Sequence, residues 1–255
     1  MKKEFDILLT AIMFYTRIPV PGNMGCSNEM LNKSTRYLPL IGILVGGIGW
    51  FIWWLTRMIF PYPLAILFSM VTTILITGAL HEDGFADFCD GFGGSPDKVR
   101  ILEIMKDSRL GTFGAMALFL MLLTKFSGLS NIKEEYFPFV LISSHAFSRF
   151  LPVCMINTSV YVRKDGTGKS EGIGHKGSTS TFLISLFFGL CTFIFLPWQS
   201  ILMIVTISFL LFILFRKYCL YKIGGYTGDV LGALQQLIEI TFYLGFLVFQ
   251  HYIPS

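Results

Sequence analysis

No charged residue occurs across residues 37–56, 58–80 or 177–215. A helix crosses the hydrocarbon of a bilayer with about 20 apolar residues. Runs of this kind therefore restrict the chain to membrane-spanning helices before any other feature is weighed. Only 14% of residues are charged and 53% are hydrophobic, where an ordinary globular domain carries about 25% charged residues. A soluble fold would have too little polar surface to turn outward.

The expected architecture is all-α and polytopic, a single membrane-embedded catalytic domain over residues 1–255 with about seven spans (six to seven). The first covers 37–56 and is closed by Arg57. The second covers 58–80, with Pro61 and Pro63 near its start. The third begins at Leu110 and ends near Lys125, which is expected to snorkel to the interface. The fourth covers 136–158 and contains His145 and Arg149. Pro197-Trp198-Gln199 breaks the stretch 177–215 into a hairpin of two more spans, and the last runs over 231–252 and contains Glu239. In residues 4–18, Phe5, Leu8, Leu9, Ile12 and Tyr15 recur at helical spacing opposite Lys3, Asp6 and Thr10. That pattern predicts an amphipathic helix on the membrane surface, or a partly re-entrant one. Arg17, Pro19 and Pro21 interrupt the first apolar run, which argues against a cleaved signal peptide.

Basic residues alternate between connections. One set holds Lys2, Lys3, Arg17, Lys33, Arg36, Lys98, Arg100, Lys106, Arg109, Arg163, Lys164, Lys169, Lys176, Arg216, Lys217 and Lys222; the other holds only Arg57, Lys125 and Lys133. The positive-inside rule makes the first set cytoplasmic. The cysteines are scattered without a C-x-x-C pair, so neither a zinc site nor a disulfide framework is indicated.

The chemistry is expected in His81-Glu82-Asp83-Gly84-Phe85-Ala86-Asp87-Phe88-Cys89-Asp90-Gly91-Phe92-Gly93-Gly94. On a helix, Asp83, Asp87 and Asp90 fall within about 60° of one another. Like charges at that spacing destabilise a helix, whereas convergent carboxylates with substrate phosphate suit Mg²⁺ or Mn²⁺. Gly84, Gly91 and Gly94 let a bulky ligand approach the backbone. A second helix is expected after Pro96, with Arg100, Glu103 and Asp107 on one face and Lys106 and Arg109 supplying charge for phosphate. Acids for metal beside bases for phosphate are the parts of a metal-assisted phosphoryl-transfer site.

Around this core the readings divide. His81 is a general base, a phosphate donor or an interfacial residue, and Glu82 points away from the aspartates. Arg149 lies within a span and needs a partner, either a ligand or a buried carboxylate such as Glu239. Gly224-Gly225-Tyr226-Thr227-Gly228-Asp229 is a candidate second substrate-contacting element, and the glycine- and lysine-rich loop 163–176 reads as a flexible basic loop, with folding over an anionic ligand as the alternative.

The segments Phe14-Tyr15-Thr16-Arg17-Ile18-Pro19-Val20-Pro21, 81–94, Glu103-Ile104-Met105-Lys106-Asp107-Ser108-Arg109-Leu110-Gly111 and 224–232 resemble, in order, the cobalamin synthase (adenosylcobinamide-GDP ribazoletransferase) family. The resemblance implies joining of adenosylcobinamide-GDP to α-ribazole, or its 5′-phosphate, with GMP released and Mg²⁺ required. It implies these small molecules and the bilayer as partners, with no nucleic acid. The setting would be a bacterial or archaeal cell membrane, with the active site facing the cytoplasm; a homo-oligomer is left open. Asp87-x-x-Asp90-Gly91 is also similar to the start of the CDP-alcohol phosphotransferase signature. Gly94-Ser95 stands where that pattern has Ala-Arg, and Glu103 and Asp107 come too early. A lipid enzyme of that kind is one alternative. An ion-coupled transporter using His145, Arg149 and Glu239 is another, although the related halves common in transporters are absent.

Overall fold

In lipid every backbone N–H and C=O needs an internal partner, so an apolar chain of this kind resolves into helices. The computed structural model describes residues 2–20, 27–163, 174 and 176–252. Its helices are α1 (Lys2–Tyr15), α2 (Asn28–Ser34), α3 (Leu38–Arg57), α4 (Tyr62–Thr77), α5 (Leu80–Gly94), α6 (Lys98–Ile104), α7 (Thr112–Ser130), α8 (Phe137–Thr158), α9 (Thr179–Leu190), α10 (Trp198–Ile223) and α11 (Gly228–Tyr252). A 3₁₀ turn, Thr35–Tyr37, leads into α3, and another, Cys191–Phe195, prolongs α9. Among the described residues the only β pairing is a bridge between Tyr161 and Tyr226. Pro21, Cys26, Lys164, Lys169 and most of the basic loop expected over 163–176 lie outside the described residues.

Among the described residues, α3, α4, α7, α8, α9, α10 and α11 run between two rims. At one rim Arg57 pairs with Glu134 at 2.9 Å, the Tyr62 hydroxyl donates to Ile132 O at 2.6 Å, and Lys133 N donates to Gln250 Oε1 at 2.9 Å. These contacts join the ends of α3, α7 and α11 to the starts of α4 and α8. At the other rim Arg36 reaches Thr181 at 3.3 Å and Arg216 donates to Ser159 at 3.1 Å, so most of the basic residues gather there. Among the described residues, five helices are long and apolar enough to cross a membrane, or six if α4 and α5 count as one bent span. Helix α9 with its 3₁₀ extension is a shorter apolar rod. The expected count of about seven fits this alternation.

Helix α8 is the hub, buried on nearly every face from Val140 to Ile156. Helix α3 lies against it closely enough that a Cβ on Gly42 would overlap the His145 carbonyl, the small-residue contact typical of packing in membranes. The centre is not wholly apolar. Lys125 of α7 pairs with Glu239 of α11 at 2.7 Å; both side chains are under 10% exposed. Glu239 also accepts from Gln235 at 2.7 Å and from Tyr243 at 3.0 Å. Arg149 donates to His145 O at 2.9 Å, and Gln236 donates to Glu82 at 3.0 Å. Lys125 therefore does not snorkel: it continues the buried stripe Met121, Lys125, Leu129 of α7 and finds a carboxylate inside the bundle.

The amphipathic N-terminal helix forms, but its buried stripe is Ile7, Thr10, Ala11 and Tyr15, while Phe5 is 61% exposed. The face is rotated because Glu4 is held by Arg36 at 3.0 Å, which fixes how α1 lies on the start of α3. The second expected span also differs, ending at Thr77. Gly78 and Ala79 both take positive φ, 62° and 57°, and α5 leaves at 85° to α4. A Cβ on Gly78 would overlap the Arg17 guanidinium, which packs over the turn. Helix α5 consequently spans nothing. It lies across the basic rim, with Phe88 and Phe92 against Phe215 and Tyr218 at the end of α10.

Candidate active site

The 85° turn brings the acidic helix to the ends of its neighbours. Gly84 abuts the backbone of Asp229, and Gly232 sits on the His81 carbonyl, so α5 and the start of α11 pack backbone to backbone. Between them, the end of α1, the start of α3, the end of α8 and the α6–α7 connection lies a cavity of about 550 Å³. Its acidic wall carries Asp83, Asp87, Asp107 and Asp229, with His81, Lys106, Ser108 and Arg163 beside them. The opposite wall is apolar and includes Phe14, Leu38, Pro152 and Ile156.

Partial burial and the neighbouring carboxylates of Asp229 and Asp83 push the Asp87 carboxyl up to about 7. Repulsion of this kind is relieved by a cation. Arg163 relieves part of it, donating to Asp229 Oδ2 at 2.7 Å and to Met105 O at 3.1 Å. Its position is set by the Tyr161–Tyr226 bridge, where Val162 N donates to Tyr226 O at 3.0 Å and Tyr226 N to Val160 O at 2.9 Å.

The remaining sequence candidates fall elsewhere. Asp90 shares the helical face of Asp87 but turns to α7, accepting from Gly111 N at 2.7 Å and Gly114 N at 2.8 Å. Helix α6 stops at Ile104, so Asp107 is not on a common helical face with Arg100 and Glu103. It sits in the following connection and pairs with Arg109 at 2.6 Å; that guanidinium and its backbone N–H hold the Asp107 carboxyl down at about 2. Arg100 pairs with Glu103 at 3.0 Å in the solvent. Asp90, Gly94, Arg100, Glu103 and Arg109 line a shallower neighbouring groove of about 240 Å³, which shares Asp107 with the cavity. Gly91 packs against Ile101 and Met105, seating α6 on α5. Arg149 lies in the bundle interior beside His145.

Among the described residues, no three His, Cys, Asp or Glu side chains converge tightly enough to enclose a metal ion. The five-carboxylate set expected from sequence is thus not assembled, because Asp90, Asp107 and Glu103 have partners of their own. What remains is an open pair, Asp83 and Asp87, lining the same cavity as the Arg163-bound Asp229. That donor set fits Mg²⁺, which characteristically takes one or two carboxylates and completes its shell with water and substrate phosphate.

Arg163 and Glu82 were missed by sequence reasoning. Only the basic character of its loop marked Arg163, and Glu82 is buried against Gln236 instead of turned to solvent.

The family model described as cobalamin-5-phosphate synthase matches residues 7–247. An adenosylcobinamide-GDP ribazoletransferase of Shewanella amazonensis is 39% identical over 97% of this chain and 96% of its own length. Proteins of the same name from Vibrio cholerae and Shewanella putrefaciens are 36% and 40% identical, over 98% and 96% of this chain and 97% and 95% of their own. No solved structure matches the chain.

Proposed function

Because the chain belongs to the cobalamin-5-phosphate synthase family, we propose that it is an adenosylcobinamide-GDP ribazoletransferase. It would join adenosylcobinamide-GDP to α-ribazole, or its 5′-phosphate, and release GMP. The observation that carries the chemistry is the cavity at the basic rim, which Asp83, Asp87, Asp229, Lys106 and Arg163 all line.

In the reaction a ribose hydroxyl of α-ribazole forms a new P–O bond to the phosphoryl group attached to cobinamide. The bond between that phosphorus and the bridging oxygen of the pyrophosphate breaks, and GMP leaves. Asp83 and Asp87 would hold a Mg²⁺ ion, with substrate phosphate and water completing its shell. When bound, the ion supplies neutralisation of charge on the transferred and leaving groups. Lys106 and Arg163 add positive charge on the same side, fixed in place before the reaction begins. The proton lost by the attacking hydroxyl has acceptors in the wall carboxylates and His81. The α5–α11 contact holds these groups at fixed spacing, the kind of positioning on which phosphoryl transfer depends.

The concentration of basic residues at the cavity's own rim supports an active site on the cytoplasmic side of the membrane, and a bacterial or archaeal cell membrane is the setting proposed for it. The test is GMP release by detergent-solubilised protein supplied with adenosylcobinamide-GDP and α-ribazole. Release should require Mg²⁺, stop on chelation and return on readdition. No release under any metal condition removes the activity; release unaffected by chelation removes the ion. CMP release from a CDP-alcohol donor would instead favour the lipid enzyme.

A further inference from the structure

Helix α10 contains no Asp or Glu, and its charges, Arg216, Lys217 and Lys222, are confined to its last turns. At 1.5 Å per residue, Trp198 at its start and Lys217 stand about 28 Å apart along the axis, close to the thickness of the bilayer hydrocarbon. With the exposed Trp198 at one interface, where such rings concentrate, Lys217 and the residues after it lie at headgroup depth on the basic rim.

Ile207, Leu210, Leu214, Lys217 and Tyr221 recur every three or four residues and so share one face of the helix. All five are exposed, Tyr221 by 84%. That face is apolar over about 15 Å from Ile207 to Lys217, then turns cationic and hydroxyl-bearing within a single turn. Lys222 lies beside it, over the Tyr218 ring at 6.0 Å, and Lys98 Nζ adds positive charge where it packs against Gly224. Asp97 does not offset this charge: it caps its own helix, accepting from Arg100 N at 3.0 Å. Arg216 is committed to the end of α8, donating to Thr158 O and to Ser159. Among the described residues neither Lys217 nor Lys222 pairs with a carboxylate.

An apolar stripe continuous with a cationic end has the shape and polarity of a lipid turned inside out. We propose that this face of α10 binds an anionic phospholipid, with an acyl chain along Ile207, Leu210 and Leu214 and the phosphate held by Lys217, Tyr221 and Lys222. A zwitterionic headgroup carries its own ammonium beside the phosphate and leaves the lysines uncompensated, so the site selects net negative charge. Each lysine near an anionic lipid surface contributes about fivefold to binding. The site also bears on the acidic helix without entering its cavity, because Tyr218 packs on Phe92 at 5.4 Å and Phe215 on Phe88 at 5.2 Å. Ordering the end of α10 therefore steadies the helix that carries Asp83 and Asp87.

The test reads binding without turnover, so its outcome is independent of the reaction proposed above. The full chain is reconstituted in vesicles of phosphatidylglycerol and phosphatidylcholine in equal amounts and extracted into a neutral detergent. The lipid retained per chain is then identified by native mass spectrometry. The wild type should retain phosphatidylglycerol in preference, and Lys217→Gln/Lys222→Gln should lower that preference by about 25-fold, two fivefold contributions. Lys217→Arg/Lys222→Arg restores the charge and should keep the wild-type ratio, as should Lys33→Gln, whose lysine pairs with Glu29 on the same rim. Added inorganic phosphate should not displace the lipid, since it makes no contact with the apolar stripe. Equal retention of both lipids by the wild type, an unchanged ratio in the double Gln variant, an equal loss in the Arg variant, or displacement by phosphate would each overturn the site.

Discussion

Asp87 and Asp90 stand one helical turn apart on α5, yet their surroundings predict opposite responses to the same change. Asp90 acts as a cap supplied from outside α7. Its two oxygens accept from the N–H groups of Gly111 and Gly114 at 2.7 and 2.8 Å, at a helix N-terminus that has no side-chain cap of its own. Hydrogen bonds to a charged group contribute about 1.5–3 kcal/mol each, and charge at a helix N-terminus adds about 0.3–1 kcal/mol. Asp90→Asn keeps one acceptor and turns an amide donor towards the other N–H, so it should cost about 2–3 kcal/mol. For a chain of this size that lowers Tm by roughly 4–12 °C. Among the described residues Asp87 has no such donors, and its partial burial, with Asp229 and Asp83 nearby, opposes its ionisation. Its folded pKa of about 7 lies above the ordinary 3.8, so ionised Asp87 opposes folding. That penalty is absent below about pH 4 and grows as pH rises to about 7. Asp87→Asn should therefore leave Tm unchanged at pH 4, raise it by a few degrees at pH 8, and abolish GMP release. Thermal unfolding of the detergent-solubilised variants at the two pH values, with GMP release measured in parallel, reads out both claims. Asp90→Asn as stable as wild type, or Asp87→Asn less stable at pH 8, would refute the division between a cap and an electrostatically strained site carboxylate.

Three other substitutions follow from the same geometry. Glu239→Gln leaves Lys125 and Arg149 in the bundle without their main counter-charge and should cost about 3–5 kcal/mol, with Lys125→Met/Glu239→Gln regaining at least about 1 kcal/mol of it by restoring balance; strict additivity in Tm shifts would show that the pair is not coupled. Arg163→Gln breaks the 2.7 Å contact to Asp229 and should lower kcat/KM for GMP release by about tenfold at unchanged Mg²⁺, a loss of about 1.4 kcal/mol; wild-type kinetics would remove Arg163 from the site. Gly42→Val forces α3 away from the α8 backbone at His145 and should lower stability by about 1–3 kcal/mol, visible as a lower Tm; Gly47→Ala, which meets open space, is the control and should stay within a degree or two.

The spans were legible because they depend on local composition, and runs such as 37–56 need no partner to declare themselves. The acidic helix was legible for the same reason: the 3.6-residue period puts Asp83 and Asp87 together whatever surrounds them. What stayed hidden depends on contacts distant in the chain. The turn at Gly78 and Ala79 requires positive φ at an alanine, which no propensity signals and which is stabilised by packing under Arg17. Asp90 looked like a third ligand until residues 21 and 24 positions later claimed its oxygens. Asp107 fell out of register because α6 ends at Ile104, in a stretch with no Gly or Pro to announce it. Lys125 sits near the end of its apolar run, so sequence favoured the interface; only the placement of α11 reveals a buried carboxylate within reach.

The Lys125–Glu239 pair has a consequence for how the protein is made. Chains are synthesised from the N-terminus onward, so the segment bearing Lys125 reaches the membrane well before the last segment bearing Glu239 emerges from the ribosome. An ammonium group at that depth without a counter-ion is unfavourable in lipid. Stable burial of Lys125 in the third crossing segment is therefore expected only once the C-terminal segment supplies Glu239. A nascent chain truncated before residue 228 would be expected to remain protease-sensitive around that lysine, because the final segment carries the carboxylate that neutralises it.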